Sequence, residues 1–204
     1  MEIYGGNMDY KEEISYREEL LKKVHKGNKL TPDERVWAVT HPVYNRTMGY
    51  PILNVAIEKL GSEKWFLLKI NIESINYDRM IGPIIYVPAG KGSIITSFEV
   101  ENLSGQKSIG KPIKMLSLLS NKQNKTAEVK YQSKLGILSV SYECDYFDKN
   151  LNLLLRQSSN TGHPYFAMQR EAISNNKAKY YCKDPCTDTF DALIFSIEWI
   201  LINN

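Results

Sequence analysis

Along the first fifty residues apolar side chains recur every third or fourth position, and beyond about residue 50 they recur every second. The change of period predicts helices at the N-terminus and strands after them. Asp9 to Lys26 reads as a helix, with Asp9, Glu12 and Glu13 at its start and Lys22, Lys23, His25 and Lys26 at its end, each sign opposing the macrodipole. Glu18 with Lys22 and Glu19 with Lys23 stand in the favourable order, and Gly27 supplies a left-handed stop. Tyr10, Ile14, Leu21 and Val24 form its expected apolar stripe.

Thr31-Pro32-Asp33-Glu34 has the form of a capping box with proline at the first helical position, so a second helix begins there. Pro42 ends it after roughly nine residues, because proline disfavours helical geometry in the residue before it. A helical hairpin is expected, with Trp37 as its largest buried side chain.

In Trp65 to Ile75, Phe66, Leu68, Ile70 and Ile72 share one face while Lys69, Asn71 and Glu73 share the other. That alternation belongs to a sheet with one wet side. Ile94 to Val100 repeats it, and so does Gly136 to Tyr146, where Leu138, Val140, Tyr142, Cys144 and Tyr146 oppose Ser139, Ser141, Glu143 and Asp145. Further strands are predicted at Ile84 to Val87, Ile113 to Leu119, Ala127 to Tyr131, Leu151 to Arg156, Lys179 to Cys182 and Leu193 to Leu201. A hairpin is expected to join Ile113–Leu119 with Ala127–Tyr131 through Ser120 to Thr126. Short β-branched or aromatic runs separated by Gly, Asn, Ser and Pro predict a mainly β fold, an antiparallel β-sandwich of jelly-roll type. The expected division is a helical appendage over residues 1–49 and a β-sandwich domain over 50–204.

Composition leaves this picture standing. Apolar residues are 43% and charged residues 24% of 204, ordinary globular usage that excludes a largely disordered chain. No apolar run is long enough for a membrane span, and the acidic first twenty residues do not read as a secretory signal. Three cysteines, Cys144, Cys182 and Cys186, are an odd number without an export signal. Free thiols and a cytoplasmic location are therefore the expectation.

Candidate chemistry is sparse. Pro88 to Ser93 is glycine-rich with one lysine, but it lacks the spacing of a phosphate-binding loop and precedes a strand, so it reads as an ordinary loop. Cys182 and Cys186, with Cys144 and His163, would be needed for a zinc tetrahedron, and no second knuckle accompanies them; buried or loop thiols are the simpler reading. Ser104 to Lys107 matches SxxK but contains glycine where the motif needs a helix. Asp145 with Asp148 and Asp188 with Asp191 are the paired carboxylates, and each pair falls where solvation explains it. No cofactor or metal is predicted.

Charge placement does change the picture. Residues 104–135 hold Lys107, Lys111, Lys114, Lys122, Lys125, Lys130 and Lys134 against Glu128 alone, a net of +6 in a chain whose total is +3. Such a block suits an acidic protein surface, a nucleoprotein or a nucleic-acid backbone. It equally suits an edge hairpin guarded by lysine against aggregation. The absence of arginine argues against base-edge reading. The expected function is a non-enzymatic binding module using these seven lysines, of the kind an inhibitor uses to occupy a partner's surface. Two alternatives are a hydrolase-like site assembled from Asp145, Asp148 and His163, and a carbohydrate-binding or small-ligand-binding face carrying Tyr44, Tyr50 and Tyr165.

Overall fold

The computed structural model describes residues 9–86, 98–102, 107–109, 113–114, 125–148, 151–159 and 165–202. Two compact units separate between His41 and Pro42.

The first unit holds two helices, α1 (Tyr10–His25) and α2 (Pro32–Thr40). Asp9 caps α1 by accepting from the N–H groups of Lys11 and Glu12, while the Glu12 carboxylate accepts from the Asp9 N–H. Gly27, at φ 79°, turns the chain after it. The predicted box opens α2: Thr31 Oγ1 accepts from the Glu34 N–H at 3.2 Å and Glu34 Oε2 accepts from the Thr31 N–H at 2.8 Å. The buried face of α1 centres on Leu20, whereas Tyr10 and Val24 of the expected stripe are exposed. The reason is local: Tyr16 meets the Trp37 ring edge-on at 4.7 Å, and Arg17 lies over that ring while donating to the Ala38 and His41 carbonyls. Trp37, also stacked on His41 at 4.4 Å, is half-buried rather than enclosed.

The second unit is β. Its strands are β1 (Val43–Tyr44), β2 (Leu53–Lys59), β3 (Trp65–Ile75), β4 (Ile81–Tyr86), β5 (Phe98–Asn102), β6 (Lys107–Ile109), β7 (Ile113–Lys114), β8 (Lys125–Ser133), β9 (Ile137–Asp148), β10 (Leu153–Ser158), β11 (Met168–Ser174), β12 (Lys177–Cys182) and β13 (Leu193–Leu201). Among the described residues they form one antiparallel sheet in the order β6-β5-β8-β3-β13-β12-β11-β2-β9-β4-β7, with β1 on β2 and β10 on β9. Phe66, Leu68 and Ile70 of β3, Phe195 and Ile197 of β13, Leu138, Val140 and Tyr142 of β9, and Ile81 and Ile85 of β4 share one buried cluster. A flat sheet would hold β3 and β4 six strands apart, roughly 28 Å at ordinary strand spacing. The sheet therefore curls on itself as a half-barrel with the core on its concave side.

The alternation of β3 is as the sequence predicts. That of β9 is not: Ser139, Ser141 and Glu143, expected on a wet face, are buried along with their apolar neighbours. β2, whose run of buried residues does not alternate, and β11, whose side chains are mostly exposed, carry too weak a period to be read from sequence. The expected hairpin between Ile113–Leu119 and Ala127–Tyr131 is not formed among the described residues. β7 pairs with β4 through Ile113 and Lys114, and β8 pairs with β3 and β5, which occupy its two edges. Among the described residues no helix is long and apolar enough to cross a membrane.

Candidate functional site

Among the described residues the lysines of the basic segment fall on three strands and one turn. Lys107 lies on β6 at one end of the strand path and Lys114 on β7 at the other, while Lys125 and Lys130 lie on β8 and Lys134 in the turn after it. Lys111 and Lys122 fall outside the described residues. Register places Glu101 of β5 opposite both Lys107 and Lys130. On the adjoining strands Lys69 lies 3.8 Å from Glu128. Lys134 is exposed.

A different group of residues surrounds a cleft of about 410 Å³. Asn76, Tyr77, Asp78 and Arg79, from the turn between β3 and β4, face Asp184 and Cys186 from the loop between β12 and β13. The sequence brings these loops together because β3 and β13 are paired to their ends, Ile75 opposite Leu193. The Asn76 N–H then donates to the Ala192 carbonyl at 2.9 Å and its side-chain amide to Asp191 at 2.8 Å. Bonds from the Thr189 hydroxyl and from Asn76 hold the Asp191 carboxyl below its ordinary range. Asp184 is used as a turn-former, accepting from the Cys186 N–H at 2.7 Å. Lys183 is buried with its ammonium 3.4 Å from Asp188 and 3.3 Å from the Asp184 carbonyl. Tyr77 donates to the Asp145 carbonyl at 2.7 Å, and burial pushes its hydroxyl well up.

Each of the paired carboxylates has a bonding partner within the chain. Asp188 and Asp191 anchor the loop, and Asp145 receives a two-pronged bond from Arg156, at 2.6 and 3.0 Å, across β9 and β10. Asp148 accepts from the Leu151 N–H in the following turn. His163, Pro88 to Ser93 and Ser104 lie outside the described residues.

Cys144 on β9 and Cys182 on β12 are buried in the core, while Cys186 is exposed beside the cleft. Burial pushes the Cys144 thiol up to about 12 and that of Cys182 well above its usual range. Among the described residues no group of three or more His, Cys, Asp and Glu side chains is placed to hold a metal ion. Tyr50 and Tyr165 are exposed, and the ring of Tyr44 lies 6.0 Å from that of Tyr50.

One polar cluster was not legible in the sequence. Glu58 of β2, fully enclosed, accepts from Arg170 of β11 through both oxygens at 2.7 Å and from the Tyr180 hydroxyl of β12 at 2.7 Å. Arg170 and Tyr180 face each other across β11 and β12, but β2 and β11 are joined by a single register pair, Leu53 opposite Met168, so no local signal brings Glu58 to them.

The fold and these surfaces define a mainly β protein with a cleft lined by Asn76, Tyr77, Asp78, Arg79, Asp184 and Cys186. The sequence matches no protein-family model, and no curated protein matches it.

Proposed function

We propose that the chain is a non-enzymatic binding module of β-sandwich type, acting inside the cell. It would engage an acidic face of another protein through the lysine-bearing end of its sheet, strands β6, β5 and β8. The observation that carries the reading is the segregation of charge along the chain, +6 within residues 104–135 and a net deficit elsewhere. A protein partner fits better than a nucleic-acid backbone, because the strands that carry the lysines, with β5 between them, also carry Glu99, Glu101 and Glu128 in their sequences. Carboxylates among the cations repel phosphate but can match a partner of mixed charge, where complementarity governs specificity and association rate more than raw affinity. Occupying a partner's surface in this way is how an inhibitor without its own chemistry works.

The test compares the natural chain with a Lys125→Gln, Lys130→Gln, Lys134→Gln variant, using polyglutamate and a random duplex DNA as probes. The reading expects polyglutamate binding that weakens with salt, and a variant with both weaker binding and a flatter salt dependence. Equal binding by the two proteins, or tighter binding to DNA than to polyglutamate, overturns it.

A further inference from the structure

Sheet edges invite pairing, and proteins blunt them by making edge strands short, by placing lysine or proline on them, or by covering them. Three of the described edge strands follow that practice. Among the described residues β6 spans three positions and starts with Lys107, and β7 spans two and ends with Lys114; β1 has two and follows Pro42.

β10 does not. It runs for six residues, Leu153-Leu154-Leu155-Arg156-Gln157-Ser158, and among the described residues β9 is its one strand partner. It contains neither lysine nor proline. Its single charge, Arg156, is already neutralised by Asp145 within the chain. Leu151, Leu153 and Leu154 are 59, 54 and 60% exposed, and Phe147, directly opposite Leu154 on β9, is 38% exposed. Scattered exposed leucines need no explanation, but a contiguous apolar group on an unguarded edge does.

We propose that this edge is where a second copy of the chain docks, its own β10 running antiparallel to this one about a two-fold axis at Leu154. The strand is self-complementary in that register. Leu153 lies opposite the partner's Leu155, and Arg156 passes the uncharged turn residue Asn152 that precedes the partner's β10, so no like charges face each other. Leu154 meets the partner's Leu154, and because Phe147 is the cross-strand neighbour of Leu154, the two copies form one apolar band across four strands. An unrelated extended peptide could take the same backbone bonds, but it has no reason to carry leucines in the matching register. An interface of one strand pair falls at the low end of specific contacts, so a dissociation constant on the order of micromolar is expected.

Sedimentation velocity over a concentration series spanning that range tests the proposal. The natural chain is expected to pass from one copy to two. Leu154→Lys, which adds a charge at the axis without touching the core, is expected to remain a single copy at every concentration with an unchanged melting temperature. Ile173→Lys, a change at an exposed apolar residue of β11, should dimerise as the natural chain does. A second measurement uses Leu154→Cys in a Cys186→Ser background, which should cross-link to a covalent dimer on mild oxidation. A natural chain that stays a single copy throughout, or a Leu154→Lys variant that dimerises normally, overturns the assignment. Should Leu154→Lys fail to fold, Leu154→Gln is read by the same two criteria.

Discussion

Glu58 and Arg170 stand 112 residues apart in sequence and face each other through two hydrogen bonds of 2.7 Å. The Glu58 side chain is 3% exposed and that of Arg170 31%, so the carboxylate is the deeply buried partner. The pair, with Tyr180, ties β2 to β11 and β12 where the ladder between them has a single rung.

Removing the cation should therefore cost more than removing both charges. Arg170→Met leaves a buried carboxylate without its partner and is expected to destabilise by about 3 kcal/mol, at the low end for a buried pair because Arg170 keeps some water. Glu58→Leu combined with Arg170→Met should recover much of that loss. Urea unfolding of the two variants decides, and equal losses would refute the buried-charge explanation.

The thiols should divide by burial. In the native protein Cys186 is expected to react readily with a thiol reagent while Cys144 and Cys182 resist, and all three should react once the chain is unfolded. Rapid native labelling of Cys144 would contradict its place in the core.

The same burial predicts an alkaline loss of stability. In the folded state Cys144 keeps its proton up to about 12, while in the unfolded chain the thiol releases it near its ordinary value of 9.0. Its contribution is whole below 9.0 and falls as pH rises toward 12, at roughly 1.4 kcal/mol per pH unit for one proton. Tyr131 and Tyr142, whose hydroxyls burial also pushes up, join from about 10.0. Between these onsets Cys144→Val should flatten the decline in denaturant midpoint with pH, and an unchanged slope would count against the assignment.

Two glycines separate space from backbone strain. Gly27, at φ 79°, has open space where a Cβ would go, so Gly27→Ala should cost about 1 kcal/mol from left-handed strain alone. Gly136, at φ 64°, would bring a Cβ within 2.5 Å of the Ser62 nitrogen. Its carbonyl also accepts from the N–H groups of Leu60 and Gly61. Gly136→Ala should lower the melting temperature several-fold more than Gly27→Ala, and similar shifts would show that the Gly61–Ser62 backbone can yield.

In the helical unit the Lys23 ammonium, bonded to Glu34, holds that carboxyl below its ordinary 4.5, with the Thr31 N–H adding to the effect. The ion pair's contribution is present above the unfolded value and disappears as pH falls through the lowered one. Titration of Glu34 by NMR should show its midpoint move up in Lys23→Met; a midpoint that stays put would remove Lys23 as the cause.

Local features were read well from the sequence because their causes lie within a few residues. Thr31, Pro32 and Glu34 fix the start of α2 through bonds that span three positions. The bounds of β3 follow from its own alternation, Trp65 to Ile75. Lysine spacing likewise gives where positive charge lies in the chain, but not which strands carry it: Lys107 falls on β6 and Lys114 on β7, at the two ends of the strand path.

What the amino-acid order determined by itself was the periodicity, and with it two helices followed by antiparallel strands, because side-chain period and capping are set by neighbours in the chain. Tertiary structure alone decided which strands meet. A strand's pattern shows that it has an apolar face, not which edge will supply its hydrogen bonds, so β7 could join β4 instead of β8. Packing of the assembled chain then left Ser139, Ser141 and Glu143 buried on what a single strand presents as its wet side, and brought Glu58 to Arg170. Such relations arise only when distant segments share one low-dielectric interior, and no window of sequence contains both partners.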